Sequence, residues 1–76
     1  MQTLYIGGGR KQKVRPGDIL GGLTGAAGIQ GDAVGKIEIQ DNFSYVAVRK
    51  SQANQAVLRL NQTGIKGRRF QVALVH

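Results

Sequence analysis

The chain has 76 residues and a formal charge of +7, from 11 Lys and Arg against 4 Asp and Glu, with a pI near 10.7. A single domain of that size buries only about 60% of the surface its unfolded chain exposes, which leaves a thin core and a binding face but little room for an enclosed catalytic cavity. The absence of cysteine excludes a disulfide framework and a Cys-type zinc site, and no apolar run approaches the roughly 18 residues of a membrane span.

Residues 3–7 alternate as a first strand, with Leu4 and Ile6 inward and Thr3 and Tyr5 outward. This pattern begins almost at Met1 without a basic leader, so no signal peptide is expected. The next segment, Gly7-Gly8-Gly9-Arg10-Lys11-Gln12-Lys13-Val14-Arg15, places four cations within six residues. Pro16, the only proline, suits the first position of a helix, and Asp18 in the first turn complements the positive end of the helix dipole. Ile19, Leu20, Leu23 and Ala27 predict its buried stripe, and Gly28 its stop. Gly21, Gly22 and Gly25 weaken this helix by about 1 kcal/mol each relative to alanine, a cost that close packing on the sheet is expected to offset.

A second strand is predicted over 34–40, with Val34, Ile37 and Ile39 half-buried and Lys36 and Glu38 outward. Asp41-Asn42 supplies the chemistry of a short hairpin turn into a third strand at 43–49. Ser51 is placed to cap a second helix that buries Ala53, Ala56, Val57 and Leu60, and Asn61-Gln62-Thr63-Gly64 ends it. After Lys66-Gly67-Arg68-Arg69, residues 70–75 alternate as a fourth strand, with Phe70 in the core beside Val72 and Leu74.

The order β-α-β-β-α-β predicts an α+β, ferredoxin-like sandwich: a four-stranded antiparallel sheet with two helices on one face, placed there by right-handed crossovers. The first and third strands are then central, and Tyr5, Phe43 and Tyr45 floor the open face. An aromatic on a solvated face adds little to stability and is well placed to stack on an unpaired base. The excess positive charge draws the phosphates of the same ligand. This arrangement resembles the RNA recognition motif. Its third-strand signature, Lys/Arg-Gly-Phe/Tyr-Gly/Ala-Phe-Val-x-Phe/Tyr, reads here Asp41-Asn42-Phe43-Ser44-Tyr45-Val46-Ala47-Val48. The stacking positions are kept, whereas the basic-Gly pair and the last aromatic are replaced.

A more specific resemblance runs from about Leu4 to Val75. Gly8-Gly9-Arg10-Lys11, Arg15-Pro16-Gly17-Asp18-Ile19-Leu20-Gly21, Gly35-Lys36-Ile37, Ser44-Tyr45-Val46-Ala47-Val48 and Ile65-Lys66-Gly67-Arg68-Arg69 are similar to the C-terminal RNA-binding domain of bacterial DEAD-box RNA helicases of the DbpA type. The resemblance implies a single module, residues 1–76, appended to an ATP-dependent helicase. It implies a grip on a hairpin of 23S ribosomal RNA near the peptidyl-transferase centre, which tethers the helicase core during large-subunit assembly in the cytoplasm. ATP and Mg would belong to that core, and no cofactor is expected in this chain. The RNA-contacting residues expected here are Tyr5, Arg10, Lys11, Lys13, Arg15, Lys36, Phe43, Tyr45, Arg49, Lys66 and Arg68, in a monomer without membrane contact.

Other motifs carry less. Gly64-Ile65-Lys66-Gly67 matches the GXXG of KH domains, but that loop joins two helices, and here a strand follows. The glycines before Arg10 lack the Gly-Lys-Ser/Thr of a P-loop, and no other ATPase motif is present. Asp18, Asp32, Glu38 and Asp41 are scattered, with no pair set for acid-base or metal work, and His76 reads as a frayed terminus. A protein-interaction module of the same fold and a small ribosomal protein with static RNA contacts stand as alternatives.

Overall fold

The computed structural model describes residues 1–75; the expectation for His76 lies outside the described residues. Four strands, β1 (Gln2–Ile6), β2 (Val34–Ile39), β3 (Ser44–Val48) and β4 (Val72–Val75), form one antiparallel sheet in the order β2-β3-β1-β4. Two helices, α1 (Pro16–Gly21) and α2 (Lys50–Thr63), pack on one side of it. The predicted ferredoxin-like sandwich is therefore the fold.

Strand periodicity explains the layering. Leu4 and Ile6 of β1 and Val46 and Val48 of β3 are fully buried, and Leu4 lies opposite Val46. Ile19, Leu23, Ala53, Ala56 and Leu60 cover them from the helical side. Each large aliphatic removed from water in this way contributes about 1.5–3 kcal/mol. Tyr5 lies opposite Tyr45 on the other face. Ser44 shares the inward parity and is buried, yet its hydroxyl is satisfied by donating to the Gly8 carbonyl at 2.6 Å.

The strand order leaves β2 and β4 at the edges. On β4, the Asn61 side chain from α2 closes Val72: Nδ2 donates to its carbonyl at 2.9 Å, and Oδ1 accepts from its N–H at 3.1 Å. An amide side chain here does the work of a fifth strand at one residue and blunts the edge.

Several local expectations are corrected. The first helix is α-helical for six residues and then widens into a π-turn over Gly22–Ala26, where the Ala27 N–H reaches the Gly22 carbonyl at 3.0 Å. Leu20, one position round the α-helical turn from the fully buried Ile19, faces outward at 41% exposure, while Leu23 and Ala27 stay buried across the π-turn. The glycines do not pack on the sheet. A Cβ at Gly22 would meet Leu60 and Ile65, on the α2 side, and at Gly21 or Gly25 it would meet nothing within 4 Å. Gly28, with φ +69°, does end the segment. Ser51 caps nothing: α2 begins at Lys50, with Arg49 in the N-cap position two residues before Ser51 and no side-chain cap. Phe70 precedes β4 and is half-buried against the core, because the chain turns again at residues 65–68 before it joins the sheet.

Candidate nucleic-acid interface

The three outward aromatics form one patch. The Tyr5 and Phe43 rings are 6.1 Å apart and nearly parallel at 28°. Phe43 and Tyr45 meet edge to face at 5.3 Å and 68°, and Tyr5 and Tyr45 lie 6.2 Å apart. All three rings are half-exposed on the face away from the helices. Mutual contact holds them at a low cost in conformational freedom, and their partial exposure suits stacking on a base.

The basic end is built by three connections that meet where β1 finishes and β3 and β4 begin. The loop after β1 forms a 3-10 turn at Arg10–Gln12 and is pinned to the β2–β3 turn: the Arg10 and Lys11 N–H groups donate to the Gln40 and Asp41 carbonyls at 2.8 and 2.9 Å. Gly9 makes this possible, since a Cβ there would press on the Gln40 carbonyl and lie 2.8 Å from the Phe43 nitrogen. The loop before β4 arrives from the other side. Arg68 donates through Nη1 to the Gln12 carbonyl, and its guanidinium lies 5.2 Å over the Phe70 ring. Lys66 stands 3.9 Å from Asp18 in the first turn of α1. Two basic segments far apart in the sequence, residues 10–15 with Arg10, Lys11, Lys13 and Arg15 and residues 66–69 with Lys66, Arg68 and Arg69, thus meet at one end of the molecule.

A groove of about 190 Å³ runs between them, lined by Lys13, Asp18, Lys66, Arg68 and Phe70 among others. Lys13 (φ 62°) and Lys66 (φ 53°) both line it, and they are the non-glycine residues with positive φ among those described. A left-handed backbone costs a side-chain-bearing residue about 1–2 kcal/mol. Strain of this kind gathers where structure serves binding, and here it falls on two lysines that line one groove.

The family model described as DbpA RNA binding domain matches residues 3–74. The chain belongs to the DbpA RNA-binding domain family. An ATP-dependent RNA helicase DbpA of Escherichia coli is 47% identical over 75 residues, covering 99% of this chain and 16% of the helicase. An ATP-dependent RNA helicase DbpA of Bacillus subtilis is 33% identical over 72 residues, covering 95% and 15%. An uncharacterised protein of Treponema pallidum is 28% identical over 71 residues, 31% of its own length. The chain thus spans about one-sixth of the helicases it matches.

Within this DbpA-family domain the predicted contact residues fall in four places. Arg10, Lys11, Lys13, Arg15, Lys66 and Arg68 share the basic end. Tyr5, Phe43 and Tyr45 form the adjoining patch. Lys36 lies on the open face of β2, ion-paired to Glu38 at 3.0 Å. Arg49 joins neither group: it follows Val48, at the end of β3 opposite Ser44 and the basic loops. Asp41, where the signature wants a cation, stands 4.0 Å from Arg10, with both side chains exposed. Two residues outside the expected set belong to the segments that meet at the basic end. Arg69 extends the run of Arg68 and was legible there. Asp18 reads only as a helix-start residue, and it does accept the Arg15 N–H at 3.1 Å. Its approach to Lys66 depends on tertiary packing and leaves no mark in the sequence.

Proposed function

We propose that this domain holds a structured hairpin of 23S ribosomal RNA at its basic end and so tethers an ATP-dependent helicase core during large-subunit assembly, in the cytoplasm, with ATP and Mg bound by the core. The observation that carries the reading is the convergence of the two basic segments around one groove, with strained lysines on both sides. Such a surface suits the phosphates of a folded RNA, recognised by shape and charge. The neighbouring aromatic patch takes one splayed base from the loop of the hairpin.

Titration of alanine variants against the 23S hairpin tests this mixed mode, with circular dichroism to check folding. Lys11→Ala, Lys13→Ala, Arg15→Ala or Lys66→Ala should weaken binding more than Phe43→Ala. At least one of Tyr5→Ala, Phe43→Ala and Tyr45→Ala should lose about 1–3 kcal/mol. Wild-type affinity in all four basic variants would overturn the phosphate grip. Losses in the three aromatic variants that exceed those in the basic ones would point instead to a single strand laid across the sheet.

A further inference from the structure

The open sheet face holds a second depression, away from the basic end. Its volume is about 360 Å³, and Thr3, Lys36, Glu38, Tyr45, Ala47 and Val75 are among its lining. That volume is within the range of small-molecule sites. The floor is low because Thr3 and Ala47 are small and stand opposite each other on β1 and β3. Tyr45 lines it from β3. Beside Tyr45, on the neighbouring strand β2, stands the pair Lys36 and Glu38, whose Nζ and Oε1 atoms are 3.0 Å apart. Glu38 is directly across from Tyr45 in the β2–β3 register. A base lying on the Tyr45 ring therefore turns one edge toward an ammonium and a carboxylate held side by side.

We propose that this depression is a subsite for one unpaired guanine, stacked on Tyr45 and selected by Glu38 with Lys36. The proposal deepens the reading of this chain as an RNA-binding domain and rests on it. A carboxylate only accepts hydrogen bonds, and a lysine ammonium only donates them. Guanine presents the matching edge: N1–H and N2–H donate to the two Glu38 oxygens, while O6 accepts from Lys36. Uracil offers one N–H between two carbonyl oxygens, and both carbonyls face the carboxylate unfavourably. Adenine offers an amino group where Lys36 needs an acceptor. Cytosine fits only when turned over, with a single donor for Glu38. The exposed ion pair contributes little to folding, since surface pairs are worth 0–1 kcal/mol, so its placement beside Tyr45 is free to serve recognition.

Fluorescence titration of the 76-residue chain with RNA pentamers tests the assignment; the probes are four uridines around a central guanine, inosine, cytosine, adenine or uracil. The guanine pentamer should bind at least fivefold more tightly than the uracil one. Inosine, which lacks the N2 amino group, should fall between them. Glu38→Gln should reduce the guanine advantage to less than twofold, and Tyr45→Ala should weaken all five pentamers. Equal affinity for the five, or a guanine advantage that survives Glu38→Ala, would overturn the subsite. A wild-type chain that binds the 23S hairpin but no pentamer would overturn the subsite and leave the hairpin reading standing. A chain that binds neither would overturn both.

Discussion

Lys13 and Lys66 are the residues at which backbone energy and charge pull in different directions. Each holds a left-handed conformation that glycine adopts freely, at φ 62° and 53°. Replacing either by glycine relieves about 1–2 kcal/mol of local strain and gives back roughly 0.4–1 kcal/mol through the looser unfolded chain. Lys13→Gly and Lys66→Gly should therefore leave stability unchanged or raise it by up to about 1.6 kcal/mol, as read by thermal denaturation. Each should also weaken hairpin binding and lower the salt slope by about 0.7, the share of one single-strand phosphate contact. Loss of stability in both variants would show that the lysines hold their loops rather than RNA. Arg68 differs from both, because its guanidinium is already engaged by Phe70 and the Gln12 carbonyl. A planar donor suits that double role, and lysine could not reproduce it.

Among the elements, α2 is set by its own sequence, whereas α1 is finished by its neighbours. The buried stripe Ala53, Ala56 and Leu60 follows helical spacing over a continuous α-helix of 14 residues. In α1 the same reasoning places Leu20 wrongly, because the core takes its neighbour Ile19 and leaves Leu20 one position round the helix, while the π-turn after Gly21 resets the phase of the residues that follow. Glycine-rich backbone tolerates the change of hydrogen-bond period, and burial of Leu23, Ala27 and Ile29 selects it. The edge strand β4 depends on α2 in a way that periodicity does not reveal. Asn61 satisfies both polar groups of Val72 on the side away from β1. Asn61→Leu leaves a part-buried N–H and C=O without partners and should cost about 1–3 kcal/mol in denaturant unfolding. An unchanged midpoint would mean that water replaces the amide without loss.

Across the whole molecule, charge is unevenly placed. Seven of the 11 Lys and Arg residues lie in the segments 10–15 and 66–69, which form the basic end. Asp18 and Asp41 are the carboxylates there, each within 4.0 Å of a cation. Log affinity for RNA should fall linearly with log salt, at about −0.7 per single-strand phosphate contact. A slope between about −2 and −5 would correspond to three to seven such contacts at that share. A slope near zero in a salt series would rule out the phosphate grip. Arg59→Ala, on α2 and outside both the basic end and the aromatic patch, should leave the slope unaltered.

The sequence by itself determined the order of elements, the four-stranded sheet with both helices on one face, the outward aromatic triad and the basic character of two segments. These follow from periods of 2 and 3.6, from turn chemistry and from residue counts, all of which are local. The family, too, was legible from motifs kept in spacing along the chain. Tertiary structure decided what those segments do together. Contacts such as Arg68 to the Gln12 carbonyl, Lys66 beside Asp18, Asn61 across Val72 and Glu38 opposite Tyr45 join residues on different elements. Their geometry is fixed by how the layers close on the core, which no window of sequence contains. The same closure explains the misplaced residues. Leu20 yields the core to its neighbour Ile19, and Phe70, though it still packs against the core, stands ahead of β4 because the chain bends at residues 65–68.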